Sequence, residues 1–130
     1  YDNLESEVAG EEDIYLTHAS GIISRIMKQT QLAITSNGRT VYEFAHMNIP
    51  SIVIAQHDRE FTHAFATEEN GFIPLGLYQK EKTTTLVLSS LKRLVGDTEF
   101  RHQLYRRTTA FNFSGNKRKI VKAILQLRQQ

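Results

Sequence analysis

The segment Ser51-Ile52-Val53-Ile54-Ala55 constrains the fold more than any other stretch of the chain. It is β-branched and almost wholly apolar, so as a strand it must be covered on both faces. Asn48 and Pro50 stand before it. The first suits the left-handed residue that ends a helix, and the second blocks the helix from continuing. A buried strand entered from a helix end predicts alternating α/β structure.

The pattern recurs along the chain. Leu32-Ala33-Ile34-Thr35 is a second short apolar run, stopped by the turn signal Ser36-Asn37-Gly38, and a helix is predicted from about Arg39. Upstream, Ile14-Tyr15-Leu16-Thr17 suits a strand, and Ser20 is placed to cap a helix with Ile22, Ile23, Ile26 and Met27 on one face. After Gln56-His57-Asp58, a polar loop, a helix carrying Phe61, Ala64 and Phe65 is predicted up to Asn70-Gly71. Phe72-Ile73-Pro74-Leu75 reads as a strand at the sheet edge, where proline is tolerated. Beyond Gly76 the chain turns helical, with Leu86, Leu91, Leu94 and Val95 on one face and Gly96 as the stop. Asp97 caps a helix with Phe100 and Leu104 inward, and a last helix from near Ser114-Gly115 uses Ile120, Val121, Ile124 and Leu125.

Strands alternating with helices of this length predict a three-layer, Rossmann-like α/β domain with a mainly parallel sheet and right-handed crossovers. At 130 residues the chain can bury one core but not two. Residues 1–12, acidic and weakly periodic, read as a connection or an incomplete first helix, and residues 13–130 as the single domain. With 40% hydrophobic residues and no apolar run near the roughly 18 residues of a membrane span, no transmembrane segment is predicted. Sixteen basic residues against 14 acidic give a net charge of only +2, which does not imply nucleic acid. The absence of cysteine removes disulfides, thiolate metal sites and a cysteine nucleophile, and fits the cytoplasm, the default compartment. The chain opens at Tyr1 without an initiating Met or a secretory signal, and is expected to be a piece of something longer.

In an open parallel sheet, ligands bind beyond the carboxyl ends of the strands. Three places qualify: residues 17–21, 36–40 and 56–59. At the second, small polar residues and Gly38 open a helix whose free N–H groups and dipole favour a phosphate, and Glu43 is spaced to point back over the loop toward ribose hydroxyls. The bland alternative is a capping box of Thr40 and Glu43. One glycine with no following lysine is neither a Walker loop nor G-x-G-x-x-G. At the third, Gln56, His57 and Asp58 are placed to bind sugar hydroxyls, while Asp58 equally suits a helix cap. His57 is the weak candidate for a general base, with no partner fixed by spacing. The remaining histidines, His18, His46, His63 and His102, lack metal-pair spacing, so no metal is predicted. Lys117, Arg118, Lys119 and Lys122, following Arg106 and Arg107, read as a solvated helix face, with phosphate or membrane-surface contact as the lesser reading. Tyr105, Phe111 and Phe113 are assigned to core packing.

Over roughly residues 13–125 the chain resembles the C-terminal domain of GT-B glycosyltransferases, particularly the UDP-sugar hydrolase of pseudaminic acid synthesis and its surface-polysaccharide relatives. Ile23 and Met27 fall at that family's spaced methionines. Gln31-Leu32-Ala33-Ile34 matches its A-D-L-A-I strand with Gln for Asp, and Asn37-Gly38-Arg39-Thr40-Val41-Tyr42-Glu43 matches its G-G-S-T-T-W-E loop. Asn48-Ile49-Pro50 matches its G-L-P turn, and Gln56-His57-Asp58-Arg59 is similar to the segment of the transferase that adds N-acetylglucosamine to the peptidoglycan lipid precursor. The hydrolase's usual Asn-Gln is missing there, which leaves the sugar and the reaction unassigned.

The resemblance implies that Ser36, Asn37, Gly38, Arg39 and Thr40 hold a diphosphate, that Glu43 holds the ribose, and that Ala19, Ser20, Gly21 and Ile22 hold uracil. Gln56, His57 and Asp58 would face the sugar. It further implies a UDP-sugar substrate, no cofactor or metal, and an N-terminal acceptor-binding domain outside these residues, without which the chain is catalytically incomplete. No oligomeric state follows. A UDP-N-acetylglucosamine 2-epimerase-like domain and a noncatalytic interaction module are the alternatives.

Overall fold

A computed structural model describes residues 2–18, 21 and 23–127 of the chain. Its elements follow in the order α1 (Asp2–Glu7), α2 (Ile23–Gln29), β1 (Ala33–Ser36), α3 (Thr40–His46), β2 (Ser51–Ala55), α4 (Asp58–Phe61), β3 (Phe72–Leu77), α5 (Lys80–Gly96), α6 (Thr98–Thr108) and α7 (Asn116–Leu127). The strands form a parallel sheet in the order β1-β2-β3, with Ile34 opposite Ile52 and Ile52 opposite Ile73. This is an α/β fold compatible with a Rossmann-like arrangement.

Side chains alternate across a strand, and here the alternation divides the core of this sheet into two clusters, one on each face. Val53 and Phe72 face one side, packed with Met27 of α2 and with Val41, Phe44 and Ala45 of α3. Ile52 faces the other, with Leu94 of α5 and with Phe100 and Leu104 of α6, while Ile73 and Leu75 pack against it. Two helical layers therefore sandwich the sheet. Burial of Ile52, Phe72, Leu94 and Leu104 is complete, and each stabilises the fold by about 1.5–3 kcal/mol.

Three local devices are built as the residue types dictate. Asn48 takes φ 59°, and the bonds Asn48 N–H to Ala45 carbonyl (3.1 Å) and Ile49 N–H to Phe44 carbonyl (2.9 Å) close α3 in a Schellman motif. Phe44 and Ile49 seal it within the same core. Asp97 caps α6 by accepting the Phe100 N–H at 2.9 Å. In β3, Pro74 lies at the sheet edge beside a register shift against Val53 and Ala55, where Gly76 takes φ 79°.

Several expectations are corrected. Residues 14–17 form no strand: Tyr15 is 84% exposed, and among the described residues no neighbouring strand supplies a ladder for them. The long helix expected from residue 58 ends at Phe61, because the Asn37 side-chain amide donates to the carbonyls of Glu60 and His63, which a continuing helix would give to residues 64 and 67. Phe61 and Ala64 are consequently exposed. Val95 is 70% exposed, since the inner face of α5 runs through Thr83, Val87, Leu91 and Leu94, and Val95 lies a further 100° round the helix. In α2 only Met27 is buried, and Ile23 and Ile26 face solvent; Ser20 and Ile22 lie outside the described residues. The apolar side of α7 is also exposed.

Gly71 is held by contact as well as by φ. At φ +90°, a Cβ there would meet the Thr108 Cγ2 at 2.5 Å and the Leu104 carbonyl oxygen at 2.6 Å, so α6 closes directly onto the turn before β3. Gly71→Ala is predicted to destabilise the fold by about 2–4 kcal/mol in urea denaturation, and an unshifted midpoint contradicts this packing.

Candidate functional site at the carboxyl ends of the strands

Residues 36–40 leave β1, and residues 56–63 leave β2, so both loops stand at the same end of the parallel sheet. Asn37 joins them. Its backbone N–H donates to the Ile54 carbonyl (3.2 Å), and its side-chain Nδ2 donates to the carbonyls of Glu60 (2.8 Å) and His63 (3.0 Å). His63 Nδ1 lies 2.6 Å from the Asn37 carbonyl oxygen, and since a carbonyl only accepts, a bond there places a proton on Nδ1. Asn37 and His63 line a pocket of about 180 Å³ with Phe61, Ala66, Pro74 and Gly76.

Glu60 completes the junction. Its Oε2 accepts the Gln56 N–H at 2.8 Å, while Oε1 would lie 3.8 Å from a Cβ on Gly38. Among the described residues no atom comes closer than 3.5 Å to a Cβ built on Gly38, so space does not force glycine there; without a side chain, its half-buried backbone can be approached closely. The helix α3 starts with short-range bonds, Val41 N–H to the Gly38 carbonyl and Tyr42 N–H to the Arg39 carbonyl. Among the described residues, no acceptor meets the N–H groups of Gly38, Arg39 or Thr40. The capping-box reading is not realised: Arg39 is the N-cap, without a side-chain bond, and Thr40 is already helical.

The other sequence candidates are distributed around this junction. Ser36 is half-buried and Arg39 is exposed. Glu43, exposed on α3, lines a separate shallow concavity of about 490 Å³ with Tyr42, His46, Phe113, Ser114 and Asn116. That concavity is framed by an aromatic cluster in which Tyr42 stacks on Phe65 at 4.4 Å, and by the His46 Nδ1 accepting the Phe113 N–H at 3.2 Å. Phe111 and Phe113 thus pack as expected, whereas Tyr105 is 49% exposed.

Gln56, His57 and Asp58 are exposed, and the N-cap of α4 is His57 in extended conformation, so Asp58 is the first helical residue and not the cap. No hydrogen bond among the described residues ties the His57 ring to a carboxylate. Of the four proposed base-binding positions, only Gly21 is described, in an exposed turn; Ala19, Ser20 and Ile22 lie outside the described residues. No group of three His, Asp or Glu side chains among the described residues is placed for a metal ion. Glu60 and His63 carry no signal in the sequence, because their links to Asn37 span 23 and 26 positions and leave no periodicity.

Asn37→Ala removes both bonds that end α4. Amide hydrogen exchange across residues 60–64 is predicted to accelerate by about tenfold or more, with the sheet amides unchanged; unaltered exchange there contradicts the clamp.

The chain matches no family model, no curated protein and no solved structure.

Proposed function

We propose that this chain is the nucleotide-sugar-binding domain of a metal-independent enzyme of GT-B type, acting on a UDP-sugar by glycosyl transfer or hydrolysis. The observation that carries this reading is the junction itself: a bare Gly38 backbone with open N–H donors, fixed through Asn37 against the polar loop of the next strand. In open parallel sheets this is where ligands enter. The resemblance of residues 37–43 to a nucleotide-sugar loop supplies the ligand class.

In this reading the diphosphate lies over Gly38, Arg39 and Thr40, whose N–H groups and the Arg39 guanidinium neutralise charge that develops on the departing diphosphate. Glu43 accepts from ribose hydroxyls, and Gln56, His57 and Asp58 meet the sugar. An acceptor hydroxyl or water, positioned by a further domain, attacks the anomeric carbon. The Glu60 carboxylate beside Gly38 opposes the diphosphate electrostatically, which makes it a sensitive reporter of where the ligand sits.

Calorimetric titration of UDP and UDP-N-acetylglucosamine tests the reading. Wild type binds UDP, Glu43→Ala weakens binding by roughly tenfold, and Glu60→Gln, which keeps the acceptor for the Gln56 N–H, strengthens it by roughly three- to tenfold. No binding by wild type or Glu60→Gln, with the fold intact, favours a noncatalytic interaction module instead.

A further inference from the structure

We infer that α7 is a docking surface for an anionic lipid bilayer. Helix α7 carries no buried residue, although Ile120, Val121, Ile124, Leu125 and Leu127 are 53–72% exposed. At 100° per residue, Ile120, Ile124 and Leu127 form one stripe, and Val121 and Leu125 widen it on one side. Arg118 and Lys122 border that widened side, Lys119 lies on the opposite, polar face, and Lys117, in the first turn, falls within the arc at its amino end. Lys117, Arg118, Val121, Lys122 and Leu125 together line a shallow open surface along the helix.

Charge selects the occupant. Residues 116–127 hold four basic side chains and no acidic one. Antiparallel two-fold pairing of this face with a second copy would bring Arg118 and Lys122 of both copies together along one rim of the apolar contact, where like charges oppose association. A nucleic acid would satisfy the cations but give the isoleucines and leucines nothing to enter. An anionic bilayer answers both halves: the apolar arc enters the acyl boundary while Arg118 and Lys122 extend their stems and hold their charges at the headgroups. No described helix is long and apolar enough to cross a membrane, so the contact lies in the interface plane. The inference does not rest on nucleotide binding: of α7 only its first residue, Asn116, lines the concavity that holds Glu43, and the apolar and basic side chains of residues 117–127 line neither that concavity nor the loop junction.

Vesicle co-sedimentation of the full chain tests it. Wild type is expected to bind vesicles of phosphatidylcholine with about one third phosphatidylglycerol at least tenfold more than pure phosphatidylcholine, and to release them as salt rises. Arg118→Glu with Lys122→Glu, and separately Ile124→Gln with Leu125→Gln, should each abolish that preference; these side chains are exposed, so circular dichroism should report an unchanged core. Equal or absent binding to both vesicles overturns the inference, as do variants that bind like wild type. A dimer lost in the apolar variant, without vesicle binding, also overturns it and assigns the face to a second copy.

Discussion

Burial of β2 on both faces organises the molecule. Ser51, Ile52, Val53 and Ala55 are at most 3% exposed, so helices must lie on either side of this strand. Being parallel to both neighbours, β2 can be reached and left only by crossover connections, which sends the loops after β1 and β2 to one end of the sheet. The candidate site is a consequence of that geometry: residues far apart in sequence meet because their strands point the same way.

Asn37 converts proximity into structure. Its amide occupies two carbonyls that an α-helix would otherwise use, so α4 stops after one turn and residues 63–67 follow as neither helix nor strand. Along that segment Ala66 enters the core and Phe65 stacks on Tyr42. One side chain thus shapes the floor of the site and the aromatic frame beside Glu43.

Features governed by local chemistry were legible in the sequence. The bounds of β2, the left-handed Asn48 and the Asp97 cap each follow from a residue type and its immediate neighbours. Features set by distant partners were not. The short α4 depends on a residue 23 positions away, and an apolar run such as residues 14–17 becomes a strand only where a neighbour offers its edge. Periodicity likewise located α7 but marked its apolar side as core, since the pattern of an amphipathic helix is the same whatever covers it. At the site, Ser36 through Thr40 were visible as a turn opening a helix, while Glu60 and His63 entered only through three-dimensional contact.

In the proposed function a nucleoside diphosphate lies across the junction of the two strand-end loops, touching both. Backbone chemical-shift mapping during addition of UDP addresses this directly, because it locates the ligand as well as detecting it. Shifts are expected to concentrate at residues 37–43 and 56–63, with α5 and residues 117–127 of α7 silent. Shifts confined to α7, or none at all at saturating UDP, would contradict that placement.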